Sequence, residues 1–348
     1  MDVSEFDYEL PAELIAQEPI QPRDAARLMV INRATGNITH SRFSQLPRYL
    51  HPGDALIINN TKVIPARLKG RWAHTGGKVE VLLLRKLRAP CGEATRWEVL
   101  IRPARRARPG VEIILGAGEL RAEVVDFTST AGGRIVDFFM SDQDFRRVLD
   151  QIGEMPLPPY IKKEMNSKDR YQTVYARYEG SAAAPTAGLH FTPELLQQIS
   201  DAGIRIISVL LHVGVGTFLP VRTEQVEQHS MHSEYYWVGE EEARAINQVR
   251  QNQGRVIAVG TTCVRTLETV TDTSGRVIPG EGWTDLFIYP GYRFRAVDGL
   301  ITNFHLPRST LLMLVSAFAG RDLIRKAYEI AIQERYRFFS FGDAMLIL

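Results

Sequence analysis

The sequence predicts an α/β protein: a large mixed-sheet α/β domain that carries an inserted small antiparallel β-barrel domain. Two patterns predict it. From residue 154 onward, short apolar strands alternate with amphipathic helices, whereas between residues 68 and 153 runs rich in β-branched and aromatic residues recur roughly every ten residues. The length of 348 residues suits two domains of ordinary size. We therefore assign residues 1–67 and 154–348 to a discontinuous α/β domain, and residues 68–153 to the barrel.

The first 67 residues contain one predicted helix and two predicted strands. Pro11 precedes Ala-Glu-Leu-Ile-Ala, which is typical of a short helix. Residues 28–32 and 56–60 are apolar runs of strand length. The second run leads into Asn59-Asn60-Thr61-Lys62, and this polar end indicates the mouth of a site.

The barrel is predicted from five strands and a helix. The strands are Val79–Leu84, Trp97–Ile101, Val111–Leu115, Leu120–Phe127 and Arg134–Met140. Gly, Pro and Asp separate them, as in small antiparallel barrels. A helix is predicted over 143–152, and the proline-rich stretch 155–160 is predicted to be a linker.

After the linker, strands, loops and helices alternate. Strands are predicted at 204–213, 233–238, 255–259, 284–289, 300–302 and 344–348. Helices are predicted at 193–201, 240–252 and 322–336, with another after Ser309. Sheets of this kind hold their ligand sites at the carboxyl ends of the strands.

The stretch 180–192 is the first candidate site. Its side chains are small from Gly180 to Gly188, so backbone amides there can approach a ligand closely. Thr192 then reads as a helix N-cap with Pro193 in the first turn. A loop that feeds a helix N-terminus suits an anionic ligand, and a tight packed crossover is the alternative. Pro185, Thr186 and His190 favour a site.

Four loops of this kind lie after strands or before helices, at 180–192, 212–218, 260–265 and 302–309. Each is a weak signal alone, but converging polar loops make pockets. Neither G-x-G-x-x-G nor G-x-x-x-x-G-K-[ST] is present, so the common dinucleotide and P-loop sites are not indicated.

The segment His229-Ser-Met-His232-Ser-Glu234 offers either a metal cluster or a catalytic pair. Its spacing is not one that zinc sites use, so we expect no metal. A histidine that acts as general base beside an orienting carboxylate is the preferred interpretation. Cys263 is expected to be a small buried thiol rather than a nucleophile, because no obvious base adjoins it.

The charge distribution indicates an anionic partner for the barrel. The net charge of the chain is +2, but residues 61–110 hold thirteen Lys/Arg against three glutamates. Four arginines, Arg102, Arg105, Arg106 and Arg108, lie in one short loop without an acidic residue. An RNA backbone would explain both features, and a solvated surface is the alternative.

Composition limits the location and the type of site. The start of the chain is acidic and lacks an apolar signal segment, and no apolar run reaches membrane-spanning length. Two cysteines, Cys91 and Cys263, are too few for a disulfide framework. We expect a cytoplasmic protein that is a monomer or a weak oligomer and has no membrane partner.

Several long motifs together resemble one known family. They are Phe6-Asp-Tyr-Glu-Leu-Pro, Asn59-Asn-Thr-Lys-Val-Ile-Pro-Ala-Arg, Tyr171-Gln-Thr-Val-Tyr-Ala, Ala183-Ala-Pro-Thr-Ala-Gly-Leu-His-Phe-Thr, His212-Val-Gly-Val-Gly-Thr-Phe, Met231-His-Ser-Glu, Val259-Gly-Thr-Thr, Asp298-Gly-Leu-Ile-Thr-Asn-Phe-His-Leu-Pro and Phe341-Gly-Asp-Ala-Met-Leu-Ile. Over essentially its whole length the chain resembles the S-adenosylmethionine:tRNA ribosyltransferase-isomerases of queuosine synthesis. It departs from the family pattern at Ala182, where a valine is usual, and at Cys263, where a serine or another small residue is usual.

The resemblance implies an α/β catalytic domain with an inserted barrel, and an activity. The ribosyl part of S-adenosylmethionine would be transferred to 7-aminomethyl-7-deazaguanine at the tRNA wobble position and isomerised. Epoxyqueuosine-tRNA, adenine and methionine would be the products. S-adenosylmethionine would be a co-substrate, and neither a cofactor nor a metal is expected. A conventional tRNA methyltransferase and a non-catalytic RNA-binding protein are the alternatives.

This chemistry requires an acid or base and groups that hold the donor. A sulfonium acidifies the adjacent C–H, so a general base can start the reaction, and adenine needs a proton donor to leave. The acid/base candidates are His190, His212, His232, Glu234 and His305. The ligand-holding candidates are Thr186, Gly188, Gly214, Gly216, Thr261, Thr262, Arg265 and Asn303.

Overall fold

The computed structural model describes residues 1–89, 94–128, 132–163, 168–214, 221 and 223–348. It divides into two compact units. The larger unit comprises Met1–Lys62, Pro158–Tyr178 and Ala184–Leu348, and the barrel unit comprises Val63–Leu157 and Glu179–Ala183. The predicted fold class, an α/β domain with an inserted antiparallel barrel, is confirmed.

The strands and helices are numbered in chain order. The strands are β1 Arg27–Ile31, β2 Ile38–Arg42, β3 Ala55–Asn59, β4 Thr61–Val63, β5 Arg67–Trp72, β6 Lys78–Leu87, β7 Thr95–Arg102, β8 Glu112–Leu115, β9 Leu120–Phe127, β10 Gly133–Phe138, β11 Tyr178–Ser181, β12 Arg205–Leu211, β13 Glu234–Val238, β14 Val256–Val259, β15 Gly280–Thr284, β16 Gly299–Asn303 and β17 Ala344–Ile347. The α-helices are α1 Asp142–Ile152, α2 Pro193–Asp201, α3 Glu240–Gln251, α4 Thr261–Val270, α5 Thr310–Ala319 and α6 Arg321–Gln333. Short 3-10 helices include Ala12–Leu14, Phe43–Tyr49, Ala104–Arg106 and Thr186–His190.

The larger unit is built on a mixed sheet of nine described strands, in the order β15-β13-β12-β3-β14-β16-β17-β1-β2. The four central strands β12, β3, β14 and β16 are parallel, so their carboxyl ends lie along one edge of the sheet. Antiparallel strands flank them: β13 pairs with β12, and β17 pairs with β16. This edge positions the candidate site.

The central strands are buried on both faces. All residues of β3, β14 and β16 are buried, as expected for parallel strands that are covered on both sides. Alternate residues enter two different hydrophobic clusters: Ile57 and Ala258 pack on one face, and Leu56 and Ile257 pack on the other. The sheet is therefore a rigid base for the loops at its ends.

The barrel unit is a closed barrel of six described strands, in the order β10-β7-β6-β5-β8-β9. Its interior includes both Trp72 and Trp97. Helix α1 packs Phe145 and Leu149 into the same core, and the Ser141 side chain caps its N-terminus.

Most predicted elements are confirmed, including both helix caps. The Thr192 side chain accepts a hydrogen bond from the Leu195 amide (3.1 Å), and that of Ser309 accepts one from Leu312 (3.2 Å). Several details were wrong. Strands β2, β4, β5 and β11 were missed, and the predicted loop 260–265 is largely the start of α4. The predicted helix after Pro11 is a 3-10 turn of three residues, and the strand predicted at 284–289 lies at Gly280–Thr284. That strand ends where the Thr284 hydroxyl accepts a hydrogen bond from the Leu286 amide, which forms a turn.

Candidate active site

The carboxyl ends of β3, β12, β14 and β16 lie along one edge of the sheet. Strand ends of this kind form the ligand crevices of α/β sheets. Six of the predicted site residues lie at these strand ends or directly after them, of which Asn303 ends β16 and Thr261 and Thr262 begin α4: His212, Gly214, Thr261, Thr262, Asn303 and His305. Gly216 lies outside the described residues. The structure therefore brings most of these candidates to one edge of the sheet.

The 3-10 helix Thr186–His190 lies against this edge. His190 Nε2 is 3.4 Å from Asn303 Nδ2 at the end of β16. Gly260, which precedes α4, has φ of 87°, and a side chain there would contact Ala187 at 3.7 Å. Glycine is favoured at that φ, and it lets the chain turn from β14 directly into α4.

A buried carboxylate organises one end of the site. Glu234 is only 2% exposed, and its Oε1 accepts hydrogen bonds from the Gly214 amide (2.7 Å) and from His232 Nε2 (3.1 Å). Its Oε2 accepts a hydrogen bond from Arg265 Nη1 in a buried ion pair. The Gly214 segment and helix α4 thus converge on the segment that holds both His232 and Glu234.

The charge state of Glu234 fixes the tautomer of His232. Burial would raise the pKa of Glu234, but the Arg265 charge and the hydrogen bond from His232 outweigh burial and lower it to about 2. Since the ionised carboxylate only accepts hydrogen bonds, His232 Nε2 carries the proton and Nδ1 is left as an acceptor. The His232 side chain is 29% exposed, so a substrate can reach it. This pair is arranged as a general base with an orienting carboxylate.

His212 lies beside this pair as a neutral histidine. Its Nδ1 is 2.8 Å from the Thr61 hydroxyl, and its ring stacks on Tyr235 with centroids 5.8 Å apart. Burial lowers its pKa to about 4. A base this weak accepts a proton poorly at neutral pH.

His190 and His305 are buried more deeply. Burial lowers the pKa of each to about 3, and for His190 the charges of Arg337 and Arg23 add to the effect. His305 Nε2 is 2.9 Å from the Thr302 hydroxyl, and its backbone amide donates to the Tyr328 hydroxyl. These contacts are those of a structural histidine, so His305 is a weak candidate for proton transfer.

Arg265 is engaged by the protein itself. Besides Glu234, its guanidinium donates to the carbonyl oxygens of Leu286 (2.9 Å) and Thr284 (3.2 Å). Its donors therefore face protein acceptors, and we assign it to positioning Glu234 rather than to holding a ligand.

Two side chains that we did not single out from the sequence lie under the Thr186–His190 segment. The hydroxyls of Thr173 and Tyr175 are buried and have no hydrogen-bond partner among the described residues. Burial raises the pKa of Tyr175 well above its usual value, so this hydroxyl stays protonated. In the sequence, the feature that could have identified these two side chains is the Tyr-x-Thr-x-Tyr spacing of residues 171–175.

Gly188 has a packing role that the sequence did not reveal. Its φ is not in the left-handed region, and a Cβ at this position would lie 2.0 Å from the Tyr175 hydroxyl and 2.8 Å from Thr173 Cγ2. Glycine is therefore required here by close side-chain packing.

We predict that Gly188→Ala lowers the free energy of unfolding by about 1–3 kcal/mol, because the added methyl group overpacks against Tyr175. Adding Tyr175→Phe removes the nearest atom and should restore part of the loss. Denaturant unfolding of the single and double variants measures both effects. A Gly188→Ala variant as stable as the parent would contradict this packing account.

The predicted arginine loop belongs to the barrel unit. Arg102 ends β7, Arg105 and Arg106 lie in the 3-10 helix Ala104–Arg106, and Arg108 follows; all four are exposed. None of them forms an ion pair with another described residue. In contrast, other cations of the barrel are paired, such as Arg67 with Glu80 and Arg96 with Asp137.

The remaining predictions concern cysteines, metals and membranes. Cys263 is buried, and burial raises its pKa to about 12, so it is a poor nucleophile; Cys91 lies outside the described residues. Across the described ranges, no three His, Cys, Asp or Glu side chains are grouped so that they could hold a metal ion. In the same residues, no helix has the length and apolarity needed to cross a membrane.

Comparisons with known proteins agree on one family. A family model described as queuosine biosynthesis protein matches residues 3–347. Proteins named S-adenosylmethionine:tRNA ribosyltransferase-isomerase are similar over all of both chains: one from Caldanaerobacter subterraneus subsp. tengcongensis is 58% identical, and one from Symbiobacterium thermophilum is 60% identical. The crystal structure of S-adenosylmethionine tRNA ribosyltransferase from Thermotoga maritima is 41% identical, with a TM-score of 0.57 over 99% of this chain and 100% of that one.

Proposed function

Because this chain belongs to the queuosine biosynthesis protein family, we propose that its acceptor is 7-aminomethyl-7-deazaguanine at the wobble position of a tRNA anticodon. The protein is a tRNA ribosyltransferase-isomerase that uses S-adenosylmethionine as ribosyl donor. Epoxyqueuosine-tRNA, adenine and methionine are the proposed products. A methyltransferase and a non-catalytic RNA-binding protein are not favoured by these relatives.

We assign the proton-abstracting role to His232, and the His232–Glu234 contact is the observation that carries this assignment. Its Nδ1 is available as an acceptor, whereas the carboxylate holds the opposite nitrogen at 3.1 Å. Transfer of the ribosyl group starts with removal of a proton from the ribosyl carbon bonded to the sulfonium. The imidazolium formed at His232 is stabilised by the ionised Glu234.

The other histidines are less suited to this step. His190, His212 and His305 have their pKa values lowered to between about 3 and 4 by burial, so they are weaker bases. We propose that His190 and Asn303 line the donor site instead. Asn303 donates to the Phe339 carbonyl and leaves its buried Oδ1 without a partner among the described residues, as a hydrogen-bond acceptor for a ligand.

The methionine carboxylate of the donor is assigned to the start of α4. The amides of Cys263 and Val264 donate to the Gly260 carbonyl, which leaves Thr261 and Thr262 as the first-turn amides that an anion would meet. Thr186, Gly188 and Gly214 belong to the neighbouring segments of the same edge. No cofactor or metal is required by this scheme, and a cytoplasmic location follows from a tRNA substrate.

Incubation with S-adenosylmethionine and tRNA that carries the 7-aminomethyl base tests the proposal. We expect free adenine and methionine in equal amounts, with the ribosyl carbon atoms in the tRNA. Formation of S-adenosylhomocysteine would instead identify a methyltransferase. Omission of the aminomethyl group from the tRNA is the control, and adenine release that does not depend on it would overturn the proposed acceptor.

We propose that the arginine loop binds tRNA phosphates, because its four exposed cations have no carboxylate partner in the described part of the chain. Replacing Arg105 and Arg106 with Ala should weaken tRNA binding and reduce the slope of log affinity against log salt by about 1.5, since each phosphate contact contributes roughly 0.7–0.9. Binding of S-adenosylmethionine should not change. A salt titration of tRNA affinity measures the effect.

A variant with the same change in charge is the control. Arg325 and Lys326 are exposed on α6, and replacing both with Ala should leave the salt slope near that of the parent. Equal slopes for the two double variants would mean that the arginine loop is only a solvated surface.

A further inference from the structure

The edge of the large sheet carries an exposed aromatic face next to the candidate active site. Strands β13 and β15 are antiparallel, and Tyr235 lies directly opposite Trp283 in their register. Their rings pack edge to face with centroids 5.6 Å apart, and Trp283 is 50% exposed. Tryptophan side chains are highly buried on average, as Trp72 and Trp97 of the barrel are here, so an indole this exposed is unusual.

Strand alternation places further rings on the same side. Tyr236 packs on the hydrophobic core, so its neighbours Tyr235 and Trp237 point to the opposite face of β13. Tyr178, which is 40% exposed, packs against Trp237 with centroids 6.5 Å apart. We define Tyr178, Tyr235, Trp237 and Trp283 as the aromatic face.

The aromatic face is continuous with the candidate active site. The His212 ring stacks on Tyr235, and the His212 amide donates to the Tyr235 carbonyl (2.9 Å). At the other end, the amide of Tyr178 donates to the carbonyl of Asn60, at the carboxyl end of β3 (3.2 Å). A molecule that occupies the site and extends from it therefore meets these rings.

One cation accompanies the rings. The exposed Arg177 lies over the Tyr178 ring, 5.3 Å from its centroid. Flat rings beside a cation are the features that bind single-stranded nucleic acid: bases stack on aromatic side chains and the cation meets the backbone.

We propose that the aromatic face stacks the unpaired RNA bases that flank the reacting nucleotide. This inference rests on the proposed function, because it takes the tRNA anticodon loop as the occupant. A base that reacts must leave its stack, and its neighbours lose stacking partners when it does. Trp283 and Tyr178 supply new ones, which holds the loop open beside His232 and His212.

The test measures binding of an anticodon stem–loop RNA in the absence of S-adenosylmethionine. Trp283→Ala should weaken stem–loop binding about 5- to 150-fold, the range for loss of one base–aromatic stack. Trp283→Phe should retain most of the affinity. Binding of the fully paired stem should not change, and the salt slope for the stem–loop should stay constant because no charge is removed.

Two variants keep the test decisive. Ile278 is 42% exposed and lies outside the aromatic face, so Ile278→Ala controls for loss of exposed apolar surface. Tyr178→Ala tests the face independently if Trp283→Ala does not fold. Unchanged stem–loop affinity in folded Trp283→Ala and Tyr178→Ala would overturn the proposal.

Other outcomes are also informative. If Trp283→Ala converts a self-associating protein into a monomer with unchanged RNA affinity, the face binds a second copy and the proposal is wrong. Because binding is measured without the donor, the result does not depend on whether the parent protein releases adenine. Normal adenine release together with unchanged RNA affinity would reject the aromatic face alone and leave the proposed function intact.

Discussion

Arg265→Met is expected to lower the free energy of unfolding by about 3–5 kcal/mol, the usual result of removing one partner of a buried ion pair. The substitution leaves Glu234 buried without its cation and frees two backbone carbonyls that the guanidinium now satisfies. Methionine has nearly the length of the arginine stem, so the loss reports on charge more than on volume. Chemical denaturation of the variant and the parent measures it.

The double variant Arg265→Met/Glu234→Gln is the control, because it removes both charges and should recover part of the stability.

The Glu234–Arg265 pair also makes stability depend on pH. The pKa of Glu234 is lowered from 4.5 to about 2 in the folded protein, so its contribution is fully present above pH 4.5 and is lost as the pH falls towards 2. Arg265→Met should lack this acid-dependent loss. If Arg265→Met were as stable as the parent at neutral pH, the role assigned to the Glu234–Arg265 pair would be contradicted.

His232→Asn is expected to lower the kcat of adenine release by about 10²–10⁴-fold, the usual contribution of a positioned general base. Asparagine removes the base together with the Nε2 hydrogen bond, but Glu234 keeps its bonds from Arg265 and the Gly214 amide and the side chain at 232 is partly exposed, so thermal stability should change little. The KM for S-adenosylmethionine should also change little, because the lost interaction acts in the transition state.

His51→Asn is the matched control for this prediction. His51 is exposed and precedes β3, at the opposite end of the strand from the site, so activity should stay at the parent level. If His232→Asn keeps its kcat while His190→Asn or His212→Asn loses it, the base has been assigned to the wrong histidine.

The sequence was sufficient to predict the fold class and to place most of the candidate site residues at one edge of the sheet. Uninterrupted apolar runs such as 256–259 indicate parallel strands that are buried on both faces, and each was followed by a polar or glycine-bearing loop. Since parallel strands end at one edge, the convergence of these loops followed from topology alone. The cap residues Thr192 and Ser309 were predictable for a similar reason, because helix N-termini depend on local chemistry.

The burial of individual side chains and the contacts between residues distant in the sequence could not be predicted in the same way. The four candidate histidines resemble one another in sequence, since each adjoins a polar or glycine-bearing loop. Only the fold separates the partly exposed His232 from the buried His190 and His305. The convergence of Gly214 and Arg265 on the His232–Glu234 pair likewise joins segments that no spacing rule connects.

Gly188 shows a different limit of the sequence. A glycine in a run of small residues is compatible with a close ligand and with a close side chain. The structure places the Tyr175 hydroxyl where a Cβ would lie, a contact between residues thirteen positions apart. Steric demands of this kind depend on which segments pack together, so sequence pattern alone does not predict them.

The central claim is that His232, held by Glu234, removes a proton from the ribosyl carbon next to the sulfonium. The most direct measurement is the release of tritium to water from S-adenosylmethionine labelled at that carbon, in the presence of tRNA that carries the 7-aminomethyl base. The parent protein should release tritium together with adenine, and folded His232→Asn should release it at least about a hundredfold more slowly. Tritium release by His232→Asn at the rate of the parent would contradict the account.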